Sequence, residues 1–157
     1  MPTVVLRLVQ DSDLDAIFEQ MRDPASVEMA AFTAEDPNDR KAFDSHMATL
    51  RTSTDVTILA VTCDGDCVGT IGSFVSEGVM EVTYWVDRSY WGQGIATRAL
   101  ELFLGEVPVR PLRARVASDN VGSLRVLQKS GFRILDTERS FANARGAEIE
   151  ETILELP

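Results

Sequence analysis

The 157-residue chain has little of what would tie it to a membrane, to nucleic acid or to a metal. No apolar run approaches the roughly 20 residues that a membrane-spanning helix needs, and no basic-then-apolar pattern opens the sequence. The cytosol is therefore the expected compartment, with no membrane partner. Basic residues are outnumbered, 15 Lys and Arg against 25 Asp and Glu, for a formal net charge of −10. Nucleic-acid binding needs a basic face, so that partner class is not expected; a cationic ligand fits such a surface. The two cysteines, Cys63 and Cys67, flank the turn C-D-G-D-C. In a reducing compartment they read as structural thiols rather than a disulfide or a metal site. The single histidine, His46, lies between Phe43 and Met47 on a helical pattern and reads as packing rather than catalysis. No metal is expected.

A hydrophobic content of 45% suits one globular domain over residues 1–157, long enough to bury about two thirds of its unfolded surface. Val4, Leu6 and Leu8 alternate as an opening strand. Ser12 and Asp15 resemble a capping box ahead of Leu14, Ile17, Phe18 and Met21 at helical spacing. A loop containing Pro24 leads to a second helix, capped near Asp36-Pro37, with Phe43, Met47 and Leu50 inward. Strands over 56–62, 68–74 and 80–86, punctuated by Asp64-Gly65 and Glu77-Gly78, form an expected antiparallel meander. A helix over 94–104 carries Ile95, Ala99, Leu102 and Phe103 on one stripe. A strand over 112–116 and a helix over 120–130 follow, with Gly131 placed as the C′ residue. Strands over 133–141 and 149–156 close the order β-α-α-β-β-β-α-β-α-β-β, an α+β class built on a mixed sheet with helices on its faces.

Between the third meander strand and the next helix stands W-G-Q-G-I-A-T, residues 91–97. A glycine turn at the positive pole of a helix presents unpaired N–H groups and suits a pyrophosphate. A P-loop requires Gly-Lys-Ser/Thr, and no lysine follows Gly94. A dinucleotide fingerprint requires a third glycine within a parallel βαβ unit; Thr97 stands there, and the preceding strand ends an antiparallel meander.

The third reading is an acyl-CoA turn. The segment Trp91-Gly92-Gln93-Gly94-Ile95-Ala96 resembles the Gln/Arg-x-x-Gly-x-Gly/Ala turn of the GNAT superfamily of acetyl-CoA-dependent N-acetyltransferases, with Trp91 departing at the first position. That form looks like the branch holding the ribosomal-protein N-terminal acetyltransferases, the RimJ/RimL type. Glu81-Val-Thr-Tyr-Trp-Val resembles the family's fourth strand, E-x-x-F/Y. Asn120-Val-Gly-Ser123 with Leu127-Gln-Lys-Ser-Gly-Phe132 resembles its N-x-x-S…K-x-G-F segment. The resemblance implies a mostly antiparallel central sheet splayed between strands 4 and 5, and acetyl-CoA as co-substrate. It also admits a homodimer, since related folds pair through sheet edges or helices.

The resemblance further implies roles for particular residues. Backbone groups from Gly92, Gln93, Gly94, Ile95, Ala96 and Thr97 would hold the pyrophosphate. Trp85 and Val86 would offer strand-edge groups to the pantetheine arm, with an N–H near Val86 polarising the thioester carbonyl. Glu81 matches the place where some members carry a catalytic glutamate acting directly or through water. Many members carry a tyrosine acid where this chain has Leu127; in the RimJ/RimL type a serine is the proposed donor, and it maps onto Ser123. Asn120 would hold the pantetheine or cap its helix, and Arg125, Lys129 or Arg98 would meet the 3′-phosphate. The acceptor pocket would form from residues 24–36, made acidic by Glu28, Glu35 and Asp36, and from the loop 143–146.

Deprotonation separates the classes of acceptor amine. An α-amino group, with a pKa of about 7.7–8, is on the order of a tenth neutral at pH 7; a lysine amine near 10.4 is less than about a thousandth neutral. A lysine acceptor therefore needs a stronger base or a desolvating site. With the resemblance to the RimJ/RimL type, a protein N-terminus is the leading acceptor. A small amine of the aminoglycoside or polyamine type is the alternative, and an acyl-CoA-binding sensor without turnover is the reading from another class.

Overall fold

The computed structural model describes residues 2–157. Seven strands form one sheet in the order β1-β2-β3-β4-β5-β7-β6: β1 Val4–Leu8, β2 Thr57–Cys63, β3 Asp66–Ser76, β4 Val79–Val86, β5 Leu112–Ala117, β6 Arg133–Ala142 and β7 Ala147–Leu156. Five helices cover it: α1 Leu14–Arg22, α2 Pro24–Ala30, α3 Arg40–Thr52, α4 Ile95–Glu106 and α5 Val121–Lys129. Every strand pair is antiparallel except β4·β5. The mixed sheet read from the order of elements, mostly antiparallel as the resemblance implies, is therefore the observed one. Among the described residues no helix is long and apolar enough to cross a membrane.

Strand alternation divides the side chains between two faces. Leu59 and Val61 of β2 join Ile71, Val82, Leu112, Ala114 and Leu154 against Ile95, Ala99, Leu100 and Phe103 of α4 and Leu127 of α5. Ile58 and Ala60 point the other way, to Ile17 of α1 and Met47 of α3. Phe103 is fully buried, and truncating it would cost about 3–5 kcal/mol.

Several local expectations are corrected. The segment after Pro24 is a helix, not a loop: Pro24 occupies its first turn and the Asp23 carboxylate accepts from the Ser26 amide at 3.0 Å. The next helix starts at Arg40, capped by Asp39 rather than Asp36-Pro37, with Asp39 accepting from the Ala42 amide at 3.0 Å. Ahead of α1 the capping box pairs Gln10 with Asp13, whose carboxylate accepts from the Gln10 amide at 2.7 Å and from both terminal guanidinium nitrogens of Arg7, rather than Ser12 with Asp15. On the surface, Leu8 is 75% exposed, and Leu100 replaces Leu102 on the buried stripe of α4. His46 is exposed rather than packed.

The β4·β5 ladder is short. Only Met80↔Leu112 and Glu81↔Arg113 pair, and beyond them the strands part. On the other side β4 stays paired with β3 to Gly69↔Val86, where a Cβ on residue 69 would collide with the Trp85 carbonyl. This asymmetry creates the splay.

Candidate functional site

One groove of about 440 Å³ runs through the splay. Arg125, Lys129 and Thr97 lie on its lining beside α4 and α5, and Ser26, Met29 and Ala30 of α2 lie on its lining across the sheet. Its middle is lined by Tyr84, Trp85 and Val86 of β4, by the turn, and by Asn120, Gly122 and Ser123.

The turn owes its shape to its glycines. Gly92 and Gly94 both hold φ +78, a left-handed conformation that other residues adopt only with strain. A Cβ at either would meet nothing within 4 Å, so the dihedral, not internal crowding, demands glycine. The α4 hydrogen-bond ladder begins with the Arg98 amide donating to the Gly94 carbonyl at 3.0 Å. Among the described residues, the amides of Gly92 through Thr97 have no acceptor within the chain. Six successive donors at a helix N-terminus form an anion cradle with the chemistry a pyrophosphate needs.

Trp91, the departure at the turn's first position, has a structural task. Its indole N–H donates to the Val86 carbonyl at 2.9 Å, tying the turn to the end of β4. The Asp87 amide donates to Val68 across β3. By the alternation of an antiparallel ladder, the backbone groups of Val86 and Tyr84 then face the splay, while those of Trp85 face β3. Val86 thus has its N–H toward the gap. Trp85 contributes its side chain to the lining, its indole donating to Gln20 of α1 at 3.2 Å, rather than the strand-edge backbone groups expected of it.

Of the residues singled out in the sequence, Trp85, Val86, Gly92, Gly94, Ile95, Ala96, Thr97, Asn120, Ser123 and Arg125 converge on the groove, and Gln93 and Glu81 do not line it. Asn120 caps α5, its side-chain oxygen accepting from the Ser123 amide at 3.3 Å. Lys129 lines the groove; Arg98 is turned to Glu101 at 3.4 Å. Leu127 is fully buried in the core.

Glu81 sits on the last rung of the β4·β5 ladder, at the apex of the splay. It is 7% exposed, its carboxylate 3.5 Å from Arg115 Nε. The same guanidinium holds Glu138 at 2.9 Å and Glu151 at 3.3 Å. Burial raises the Glu151 carboxyl, and its Arg115 contacts oppose the rise. Direct contact between Glu81 and a groove ligand is not the geometry present.

The α2 end is held by side chains. Arg145, in the β6–β7 turn, grips Asp119 at 2.8 and 3.1 Å, the Glu28 carbonyl at 2.9 Å and the Glu28 carboxylate at 3.2 Å. Asn143 donates to the Thr33 carbonyl at 2.7 Å. The acidity expected from Glu28 is therefore partly neutralised by Arg145. Asp23, the α2 cap, binds Arg88 through two bonds of 2.8 and 3.0 Å, which pulls its carboxyl down to about 2.

The sequence placed residues 24–36 at the acceptor pocket, but singled out neither Ser26, Met29 and Ala30 nor the Tyr84 side chain. The Tyr84 phenol lies 2.7 Å from Ser123 Oγ. Burial pushes it up to about 12, with the Ser123 bond working the other way. Its place in the E-x-x-F/Y segment was the available signal.

The acetyltransferase (GNAT) domain model matches residues 3–133. A probable N-acetyltransferase of Bacillus subtilis (strain 168), YjcK, is 32% identical over 77 residues; the match spans 44% of this chain and 42% of that relative. Mycobacterium smegmatis RimJ in complex with CoA-disulfide superposes with a TM-score of 0.83 at 24% identity, over 98% of this chain and 81% of that one. A GNAT superfamily phosphinothricin acetyltransferase from Sinorhizobium meliloti, in complex with AcCoA, gives 0.82 at 18% identity, over 99% and 88%. At these identities the structural likeness is one of fold. The family match covers most of the chain and includes the glycine turn, α4 and α5: the protein belongs to the acetyltransferase (GNAT) domain family.

Proposed function

We propose that the protein transfers an acetyl group from acetyl-CoA to a primary amine by direct attack in a ternary complex, without a metal, and that the amine is a protein N-terminus. The observation that carries the reading is the run of six unengaged amides from Gly92 to Thr97, all but Gln93 on the lining of a groove that runs where β4 and β5 part. Those amides would hold the pyrophosphate, and Arg125 or Lys129 the 3′-phosphate. The Val86 N–H would polarise the thioester carbonyl as negative charge develops on it. Ser123 would donate a hydrogen bond to the departing thiolate. A cysteine carrier is not invoked, because neither Cys63 nor Cys67 lines the groove.

An α-amine is already about a tenth neutral at pH 7, so a strong base in contact with it is unnecessary. Glu81, at the apex of the splay but paired with Arg115, assists through water. The RimJ/RimL-like form of the turn supports a protein acceptor. The phosphinothricin acetyltransferase of the same fold makes a small amine the alternative.

Acetyl-CoA with peptide, polyamine and aminoglycoside acceptors, followed by mass spectrometry of the products, tests the reading. Acetylated peptide N-termini are the expected outcome. Acetylated small amines alone would shift the acceptor class. CoA binding without amine-dependent thiol release would make the protein an acyl-CoA sensor.

A further inference from the structure

Two hydroxyls meet on the groove lining where the chemistry above uses only one. The Tyr84 phenol oxygen lies 2.7 Å from Ser123 Oγ and 3.3 Å from the Ser123 carbonyl, and both residues line the groove. A phenol has one proton to give. If it goes to the Ser123 carbonyl, the serine hydroxyl donates back to the phenol and turns away from the groove. If it goes to Ser123 Oγ, the serine proton is released toward the groove. The two arrangements differ by rotation of two hydroxyl hydrogens. An anion beside Ser123 selects the second.

We propose that Tyr84 is a positioning residue: its phenol donates to Ser123 Oγ and so aims the serine O–H at the sulfur of the departing CoA thiolate. This rests on the acetyl-transfer reading of the groove. In that reaction the amine nitrogen forms the new C–N bond, the C–S bond breaks and its electron pair leaves on sulfur. The ammonium proton passes to water, and the thiolate later takes a proton from solvent. Neither hydroxyl loses its proton; each only donates a hydrogen bond. That is sufficient, because a thiol with a pKa of about 8.5 leaves readily near neutrality without a strong acid. A hydrogen bond to an anion is roughly twice as strong as one between neutral groups. Burial of Tyr84 holds its phenol protonated, hence a donor, across the working pH range. The buried Leu127 cannot donate, and this pair supplies the hydroxyls that α5 and β4 bring to the groove lining.

The test needs no acceptor. Affinities for CoA and for desulfo-CoA, which lacks the thiol, are measured by calorimetry from pH 7 to 9.5. Wild-type protein is expected to gain about tenfold for CoA over desulfo-CoA as the thiol ionises. Tyr84→Phe keeps the ring and removes the hydroxyl. It is expected to cut that gain to about twofold while leaving desulfo-CoA affinity unchanged. The double variant with Ser123→Ala should be no worse than Ser123→Ala alone, since both act through one hydrogen bond. A wild-type pH dependence in Tyr84→Phe overturns the proposal, as do additive losses in the double variant or a loss of desulfo-CoA binding. Equal wild-type affinity for both ligands at every pH overturns it while the acetyl-transfer reading stands. If wild-type protein binds neither ligand, both fall.

Discussion

The two ends of the groove are held by different chemistry. At the donor end, the six amides from Gly92 to Thr97 have no acceptor within the described chain, and all of those residues but Gln93 line the groove, in a turn shaped by two left-handed glycines and an indole-to-carbonyl bond. At the α2 end, which we assign to the acceptor, the walls are tied by ion pairs: Arg145 to Asp119 and Glu28, and Arg88 to Asp23. A backbone grip is indifferent to side-chain identity. It tolerates a tryptophan at a position where the family pattern has glutamine or arginine. A side-chain clasp is particular to this chain and open to salt and pH.

The strongest way to break that contrast is to damage the donor turn both ways. Gly94→Ala forces alanine into φ +78, at a strain of about 1–3 kcal/mol. With the amides displaced, CoA affinity measured by calorimetry should fall about a hundredfold. Gln93→Ala and Thr97→Ala, which leave the backbone intact, should stay within about threefold. If Gln93→Ala were as damaging as Gly94→Ala, side chains would hold the donor and the contrast would collapse.

Glu81 belongs to neither end, and its effect should show in pH rather than in binding. Glu81→Gln is expected to lower kcat/KM for a peptide acceptor about tenfold at pH 6.5 and about twofold at pH 8.5, where most of the α-amine is already neutral. CoA affinity should not change. A flat ratio of variant to wild type across that range would assign Glu81 to the Arg115 cluster alone.

What was legible in the sequence follows the same division. Period-two alternation and the Asp64-Gly65 and Glu77-Gly78 turns marked the meander, and the glycines marked the donor turn, because local backbone demands appear in local residue types. The α2 helix did not show. At seven residues it is too short for a helical period, and Pro24 serves a loop as well as a first turn. In D-P-N-D, residues 36–39, several residues can cap a helix, and tertiary packing chose Asp39. The pairings of Glu81 with Arg115 and of Tyr84 with Ser123, the latter 39 residues apart, depend on the finished sheet. Such long-range pairs leave no local mark in the sequence.

Removing one clasp should therefore alter the acceptor alone. Arg145→Ala frees Asp119, Glu28 and the β6–β7 turn from one another. We expect KM for the acceptor to rise about fivefold through loosened positioning, with CoA affinity unchanged. Because Arg145 holds the Asp119 carboxyl below the usual carboxylate range, the clasp in wild-type protein persists at neutral pH and opens only in acid. An equal loss of CoA affinity would mean that the two ends are mechanically one.

The smallest effect concerns Asp23, which caps α2 and anchors it to Arg88, just before the donor turn. Its folded carboxyl is pulled down to about 2, below the unfolded value of about 3.9. The sign follows: the stability it lends is fully present above about pH 4 and is lost as pH falls toward 2. In thermal melts, Asp23→Asn should melt below wild type at pH 5 and above, with the difference closing as pH falls through that window. The variant keeps a side-chain oxygen for the Ser26 amide, so it isolates the charge from the cap. Equal melting of variant and wild type at every pH would make the cap, not the ion pair, the tie between α2 and the rest of the groove. The acceptor wall would then owe its placement to local hydrogen bonding, as the donor turn does.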